Sequence, residues 1–263
     1  MDKLLNYVDF IAKYDKEKLN LPYVNLYKEF FNKKFNYKDD TNDIYITPLM
    51  YYLLKTKSTR TDLIDAIYSI EKDNYNYNNL MFYLGYNPDP NEKIVKYFIN
   101  SGESSSIERS SDGYTALTIY LGYCKNPRIE IVKLLGHLRG CHDSKGQTAL
   151  FTYAGYNRYP DKNIISFLKE SEKEKNHRDM KGQTPLMQFI RYTIPDILKN
   201  IKEIDDDKRK DYIDIVKLLS YNSNVKDNFD KTAKLYFTYS LTRYRKKLSD
   251  DDNEFIQSIL MTL

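Results

Sequence analysis

Reactive side chains are few in this chain and scattered. His137, Cys141 and His142 are neighbours in sequence, but no further Cys or carboxylate joins them at the spacing that a four-ligand zinc site needs, so a turn or surface role is the simpler reading. Asp205, Asp206 and Asp207 run directly into Lys208, Arg209 and Lys210, which reads as a solvated, charge-balanced insertion rather than a metal site. Arg243, Tyr244, Arg245, Lys246 and Lys247 form the densest basic run. Its interleaved aromatic ring would suit a nucleic-acid backbone and base, or the charged face of a terminal helix. No Gly-rich phosphate cradle, nucleophile elbow or paired Cys and His is present, so no enzyme activity, metal or cofactor is expected.

Tyrosine is the abundant chemical group: 26 Tyr and no Trp. Much of it recurs in one arrangement. Tyr83-Leu84-Gly85-Tyr86 precedes Pro88, Tyr120-Leu121-Gly122-Tyr123 precedes Pro127, and Tyr153-Ala154-Gly155-Tyr156 precedes Pro160, while Phe189-Ile190-Arg191-Tyr192 precedes Pro195. Gly is read as ending a helix and Pro as preventing its continuation, which sets the last Tyr of each copy at a bend. Stacked copies would align these rings. They either pack on the next copy and shield the bend, or edge a groove as partner-binding residues, since Tyr offers large contact area at small entropic cost. The candidate binding residues are therefore Tyr86, Tyr123, Tyr156 and Tyr192, with Tyr83, Tyr120 and Tyr153 beside them.

The elements that must hold these rings repeat as well. Leu49, Leu80, Leu117, Leu150 and Leu186 recur at intervals of 31, 37, 33 and 36 residues, and Thr232, Ala233 and Lys234 continue the frame after a longer interval. Each leucine starts a short helix, for which a preceding Thr can serve as cap, and a second helix follows with one apolar stripe, as in Ile131, Leu134, Leu135 and Leu138. Gly102, Gly140 and Asn222 stand where the second helices must stop, suited to left-handed caps. The long final interval predicts an insertion near residues 195–211 that lengthens an inter-helix loop.

Asp179, Gly182, Thr184, Pro185 and Leu186 complete the pattern Asp-x-x-Gly-x-Thr-Pro-Leu. Asp143, Gly146, Thr148, Ala149 and Leu150 match with Ala for Pro, and Ser110, Gly113, Thr115, Ala116 and Leu117 put Ser first. Asp227, Asp230, Thr232 and Ala233 carry Asp at the Gly site, the next-best occupant of a left-handed turn. With a period near 33, this resembles the ankyrin-repeat family. The resemblance implies an all-α ankyrin-repeat solenoid with helical caps at both ends. Residues 1–41 would form an N-terminal helical cap or divergent repeat, residues 42–226 about five repeats, and residues 227–263 a last degenerate repeat and C-terminal cap. Leu4, Leu5, Val8, Ile11 and Ala12, then Val24, Tyr27, Phe30, Phe31 and Phe35, supply the helical stripes of the first cap, and Phe255, Ile256, Ile259 and Leu260 that of the last. Where the family has His after Leu, this chain has Met50, Met81, Thr118, Phe151 and Met187, so apolar packing is expected to replace the usual polar tie between turns.

Composition sets the outer limits. Hydrophobic residues at 41% suffice for a fold, and 30% charge suits the large surface of a repeat array. Forty-one basic against 37 acidic residues leave a net charge of +4, too balanced for a sequence-independent grip on nucleic acid. No run reaches membrane-spanning length, the first residues lack a signal-peptide core, and two cysteines favour a reducing compartment, so a cytoplasmic protein is expected. The functional expectation is a non-enzymatic module that binds a protein partner through its concave face, monomeric when free. The style of the repeats resembles arrays in giant DNA viruses and amoeba-associated microbes, which would make the partner a host or competitor protein. The alternative is nucleic-acid binding through the basic segment at Arg243.

Overall fold

The computed structural model describes residues 35–38, 43–55, 60–70, 78–102, 110–170, 177–220 and 223–263. The stripes expected over Leu4 to Phe31 and the cap at Asn222 lie outside them, as do Asp73 and Asn76, which match the Asp and Gly positions of the repeat pattern more weakly. The chain divides into two compact units, residues 1–108 and 109–263.

The first unit opens with an antiparallel pair, β1 (Phe35–Lys38) and β2 (Asp43–Ile46), in which Phe35 faces Ile46 and Asn36 faces Tyr45. Phe35 was expected to close a helical stripe. It lies instead in a segment whose Phe, Tyr and Ile residues favour a pleated chain, and Tyr45, which stands at the Gly site of the repeat pattern before Thr47-Pro48-Leu49 and so would fall in a turn, is also in a strand. Two helix pairs follow: α1 (Pro48–Lys55) with α2 (Thr61–Ile70), and α3 (Asn79–Tyr86) with α4 (Glu92–Asn100). Thr47 and Gly102 cap as the sequence predicts, and Asn78 adds a cap in the place of Thr. Thr47 Oγ1 accepts from Met50 N–H at 3.1 Å, Asn78 Oδ1 accepts from Met81 N–H at 2.9 Å, and α4 ends at Gly102 with φ +90°. Leu49, Leu53, Leu63, Ile64 and Ile67 pack the first pair, and Leu80, Ile94, Val95 and Phe98 the second, all fully buried or nearly so.

In the second unit the same device repeats with α5 (Ala116–Tyr123) and α6 (Ile129–Leu134), then α7 (Ala149–Tyr156) and α8 (Lys162–Lys169). Helix α9 (Pro185–Gln188), α10 (Ile194–Lys199), α11 (Asp206–Leu219), α12 (Ala233–Tyr244) and α13 (Asn253–Thr262) complete it. Helix α7 packs on α5 and α9, while α8 packs on α6 and α11, so first helices form one layer and second helices the other. Helix α6 ends in a tighter turn over Gly136–Leu138, with right-handed backbone at Arg139. Gly140 is therefore not the left-handed cap that was expected.

Between the pairs run tight turns. Asp143 Oδ1 accepts from Lys145 N–H and Gln147 N–H, both at 2.8 Å. Asp179 Oδ1 repeats this with Lys181 and Gln183 at 2.9 Å, and Asp227 Oδ1 with Phe229 and Lys231 at 2.9 and 3.0 Å. The carboxylate thus replaces a second strand as acceptor for the turn. Gly113, Gly146 and Gly182 have φ of +81°, +75° and +70°, and Asp230 takes the same role at +58°. Each turn bonds to the one before: Ser144 N–H to Asp112 O, Met180 N–H to Lys145 O and Asn228 N–H to Lys181 O, all 2.9 Å.

The insertion near 195–211 is helical rather than a loop. Pro195 would clash with the carbonyl of Arg191 inside a regular helix. The chain instead widens over Phe189–Thr193, where Ile194 N–H bonds to Phe189 O five residues back, and continues into α10. Ile194, Ile197, Leu198 and Ile201 give α10 and the turn after it a buried stripe, and α10 packs on α12. Asp205, read as part of a solvated loop, caps α11 by accepting from Lys208 N–H at 2.8 Å, with Asp206 and Asp207 in its first turn.

Candidate protein-binding face

The recurrent tyrosines separate into two sets. In the first, the ring points inward and its hydroxyl closes the bend. Tyr83, Tyr120 and Tyr153 are buried, and their hydroxyls accept from Asn91 N–H at 2.7 Å, Arg128 N–H at 2.8 Å and Asp161 N–H at 2.8 Å. Each acceptor sits eight residues before its donor and so ties the end of a first helix to the start of a second. Burial pushes the Tyr120 and Tyr153 hydroxyls well above the ordinary phenol range. These three candidates are therefore scaffold. Their position three residues after Leu80, Leu117 and Leu150 already puts them on the buried helical face.

The second set faces solvent. Tyr86, Tyr123, Tyr156 and Tyr192 are 46%, 69%, 59% and 41% exposed. Gly122 and Gly155 do not end their helices but lie inside them, where the next pair comes close. A Cβ on Gly155 would meet Gln188 Oε1 at 3.3 Å, and one on Gly122 would meet Thr152 Cγ2 at 3.4 Å. The residue after three of the four exposed tyrosines, Tyr86, Tyr156 and Tyr192, locks the preceding pair. Asn87 Nδ2 donates to Leu53 O at 3.2 Å, Asn157 Nδ2 to Lys125 O at 3.1 Å, and Thr193 Oγ1 to Ala154 O at 2.7 Å.

On the second unit the exposed rings of Tyr156, Tyr192 and Tyr239 are joined into a strip by Arg191, Lys231 and the buried Tyr236 ring. Tyr156 stacks on Tyr192, with centroids 6.2 Å apart and planes 13° from parallel. The Arg191 guanidinium lies 5.2 Å from the Tyr192 ring centre and 5.4 Å from that of Tyr236, and Lys231 Nζ lies 5.7 Å from both Tyr236 and Tyr239. Tyr239, which the sequence reading passed over, is 53% exposed. At the adjacent turn tips Met180 and Phe229 are also exposed.

Beneath the strip lies a buried polar network. Gln147 Nε2 donates to Asp179 Oδ2 at 3.2 Å, Gln188 Nε2 to Gln183 Oε1 at 2.9 Å, Gln183 Nε2 to Asp227 Oδ2 at 3.2 Å, and the Tyr236 hydroxyl to Asp227 Oδ2 at 2.6 Å. Burial, and then the bond to Asp227, push the Tyr236 hydroxyl up to about 12. Burial alone would raise the Asp227 carboxyl, but the donors of Tyr236, Lys231, Phe229 and Gln183 outweigh it and hold the group below its usual value. A polar tie between turns therefore survives, carried by Gln and Tyr, while Met50, Met81, Phe151 and Met187 are buried apolar substitutes as expected. Thr118 differs: its hydroxyl accepts from Thr115 N–H at 2.7 Å and Thr115 Oγ1 accepts from Thr118 N–H at 3.3 Å, a reciprocal cap.

The remaining candidates lie apart from the strip's contacts. The His142 ring stacks at 6.1 Å on that of His177, whose Nε2 is 2.5 Å from Gly146 O, and His137 and Cys141 flank the turn before them. Among the described residues no three His, Cys, Asp or Glu side chains could hold a metal ion, and no helix is long and apolar enough to cross a membrane. Arg243, Arg245 and Lys246 are exposed at the end of α12 and in the turn after it.

Helix pairs joined by Asp-x-x-Gly turns, stacked with first helices against first helices, define the ankyrin-repeat fold. Among solved structures the chain is similar to the ankyrin repeat domain of Bcl-3, a member of the IκB protein family. The two share 16% sequence identity with a TM-score of 0.50, over 82% of this chain and 89% of that one. Neither a family model nor a curated protein sequence matches the chain.

Proposed function

We propose that the protein is a non-enzymatic protein-binding module, and that its second unit meets the partner through a concave face edged by Tyr123, Tyr156 and Tyr192. The observation that carries this reading is the division of the tyrosines. The rings that hold the bends are buried, yet a second ring in each copy stays in water where the fold does not need it. Large exposed aromatic surface at aligned positions is the composition of a protein interface. The ankyrin-repeat fold supports the same reading, as a scaffold that displays an extended surface. Cys124 and Cys141 are both free thiols, which fits a cytoplasmic setting. The style of the repeats, with Met or Thr after Leu, an aromatic run and a longer Pro-containing bend, supports a viral or microbial chain acting on a host or competitor protein.

The test is affinity capture with wild-type protein and with a Tyr123→Ala, Tyr156→Ala, Tyr192→Ala variant of matched helicity and melting temperature. Partners retained by the first and lost by the second are expected. Undiminished capture by the variant would remove these tyrosines from the interface.

A further inference from the structure

Resting on the binding face just described, we propose that its strip from Tyr156 to Tyr239 takes an acidic, extended peptide segment of the partner, with Arg191 and Lys231 gripping its carboxylates. Charge and geometry both lead there. Arg191 and Lys231 are half-buried, and among the described residues neither makes an ion pair. Each is held between two rings, Arg191 between Tyr192 and Tyr236 and Lys231 between Tyr236 and Tyr239. Such contacts restrain a long side chain that would otherwise lose rotamer freedom on binding.

The carboxylates nearby are already committed. Asp227 lies buried behind Tyr236 and accepts from Phe229, Lys231, Gln183 and Tyr236, and Asp179 is buried among Lys181, Gln183, Gln147 and Gln188. Exposed Asp230 is 3.7 Å from Lys226. The strip thus offers water two positively charged donors and several phenol hydroxyls, with Asp179, Asp227 and Asp230 already taken. Arg191 and Lys231 flank one ring, 5.4 and 5.7 Å from the Tyr236 centre, so both lie within reach of carboxylates a few residues apart on one extended chain, whose side chains repeat on one face at ~6.6 Å.

The same rings argue against a single-stranded nucleic acid as the occupant. Base stacking needs open ring faces. Tyr192 is covered by Tyr156 and Arg191, and Tyr236 is flanked by both cations and nearly buried. Tyr156 and Tyr239 stay half-exposed at the two ends, and between them the strip presents charged nitrogens, which suit carboxylates.

Fluorescence anisotropy with the full chain tests this, using labelled alternating Glu-Ala and Ser-Ala peptides of equal length and oligodeoxythymidine. The Glu-Ala peptide should bind at least about tenfold more tightly than either control. It should weaken with salt and lose about tenfold in an Arg191→Gln, Lys231→Gln variant whose melting is unchanged. Equal binding of Glu-Ala and Ser-Ala, undiminished binding by the variant, or tightest binding of oligodeoxythymidine would overturn the proposal. Random-peptide display, counter-selected on Tyr156→Ala, Tyr192→Ala protein, separates the two levels. An acidic consensus supports the proposal. A basic or apolar consensus that needs the tyrosines rejects the acidic partner and leaves the binding face standing, and no tyrosine-dependent consensus rejects both.

Discussion

Asp161 N–H donates to the hydroxyl of Tyr153 at 2.8 Å, so a buried ring in one helix holds the first turn of the next. Three residues on, Tyr156 is 59% exposed and makes no such bond. Tyr153→Phe keeps the ring but strands the Asp161 donor, and should cost roughly 1–3 kcal/mol in urea unfolding. Tyr156→Ala should change stability by less than about 0.5 kcal/mol. Equal losses in the two variants would mean that the bend is not what the hydroxyl supports.

The turn at Asp230 carries a non-glycine residue at φ +58°, whereas Gly182 stands at +70° with Asn228 and Arg178 where a Cβ would go. Asp230→Gly should therefore stabilise by up to about 1 kcal/mol, and Gly182→Ala should destabilise by at least about that much. Opposite shifts in melting temperature are the expected readout.

Acid should act through Asp252 as well as Asp227. Burial works against the Asp252 charge, but bonds from Ser249 N–H and Oγ, both 2.8 Å, and the Arg209 guanidinium at 3.0 Å hold its carboxyl below the usual value. A depressed folded value means that the stabilisation is complete above the unfolded value of about 4 and is lost as pH falls through the folded one. Asp252→Asn should weaken the protein at pH 7 and flatten the fall in stability on acidification. An unchanged acid slope would show that Asp252 contributes nothing to it.

Packing is distributed along the array, and its ends should be softer than its middle. Leu150→Ala, at a fully buried position in α7, should cost roughly 2–5 kcal/mol, and Leu260→Ala on half-buried α13 distinctly less. Chemical denaturation of both variants measures the difference.

Local chemistry made most of the fold readable. Thr115, Thr184 and Thr232 cap, Asp143 and Asp179 close turns, and Asp230 substitutes for Gly because each acts within a few residues of itself. Features that depend on the neighbouring pair were hidden. Gly155 resembles a helix stop until Gln188 is seen against it, and Pro195 resembles one until the widened turn before it is seen. The Ile194, Ile197, Leu198, Ile201 stripe was present but was overshadowed by the charges that follow it. The buried glutamines did leave a trace, since Gly-Gln-Thr occurs at both Gly146-Gln147-Thr148 and Gly182-Gln183-Thr184. At the binding face, the inward and outward tyrosines are the same residue type three positions apart, and only helical phase tells them apart.

The locks at the bends all run one way. Asn157 closes carbonyls of the pair before it and Thr193 does the same for the next, just as Ser144, Met180 and Asn228 donate backward from turn to turn. Within the second unit these particular carbonyls are thus filled only by the pair that follows. A ribosome delivers the amino end first, so during synthesis the newest pair always carries open acceptors, and assembly is completed retrospectively, one unit behind the growing chain.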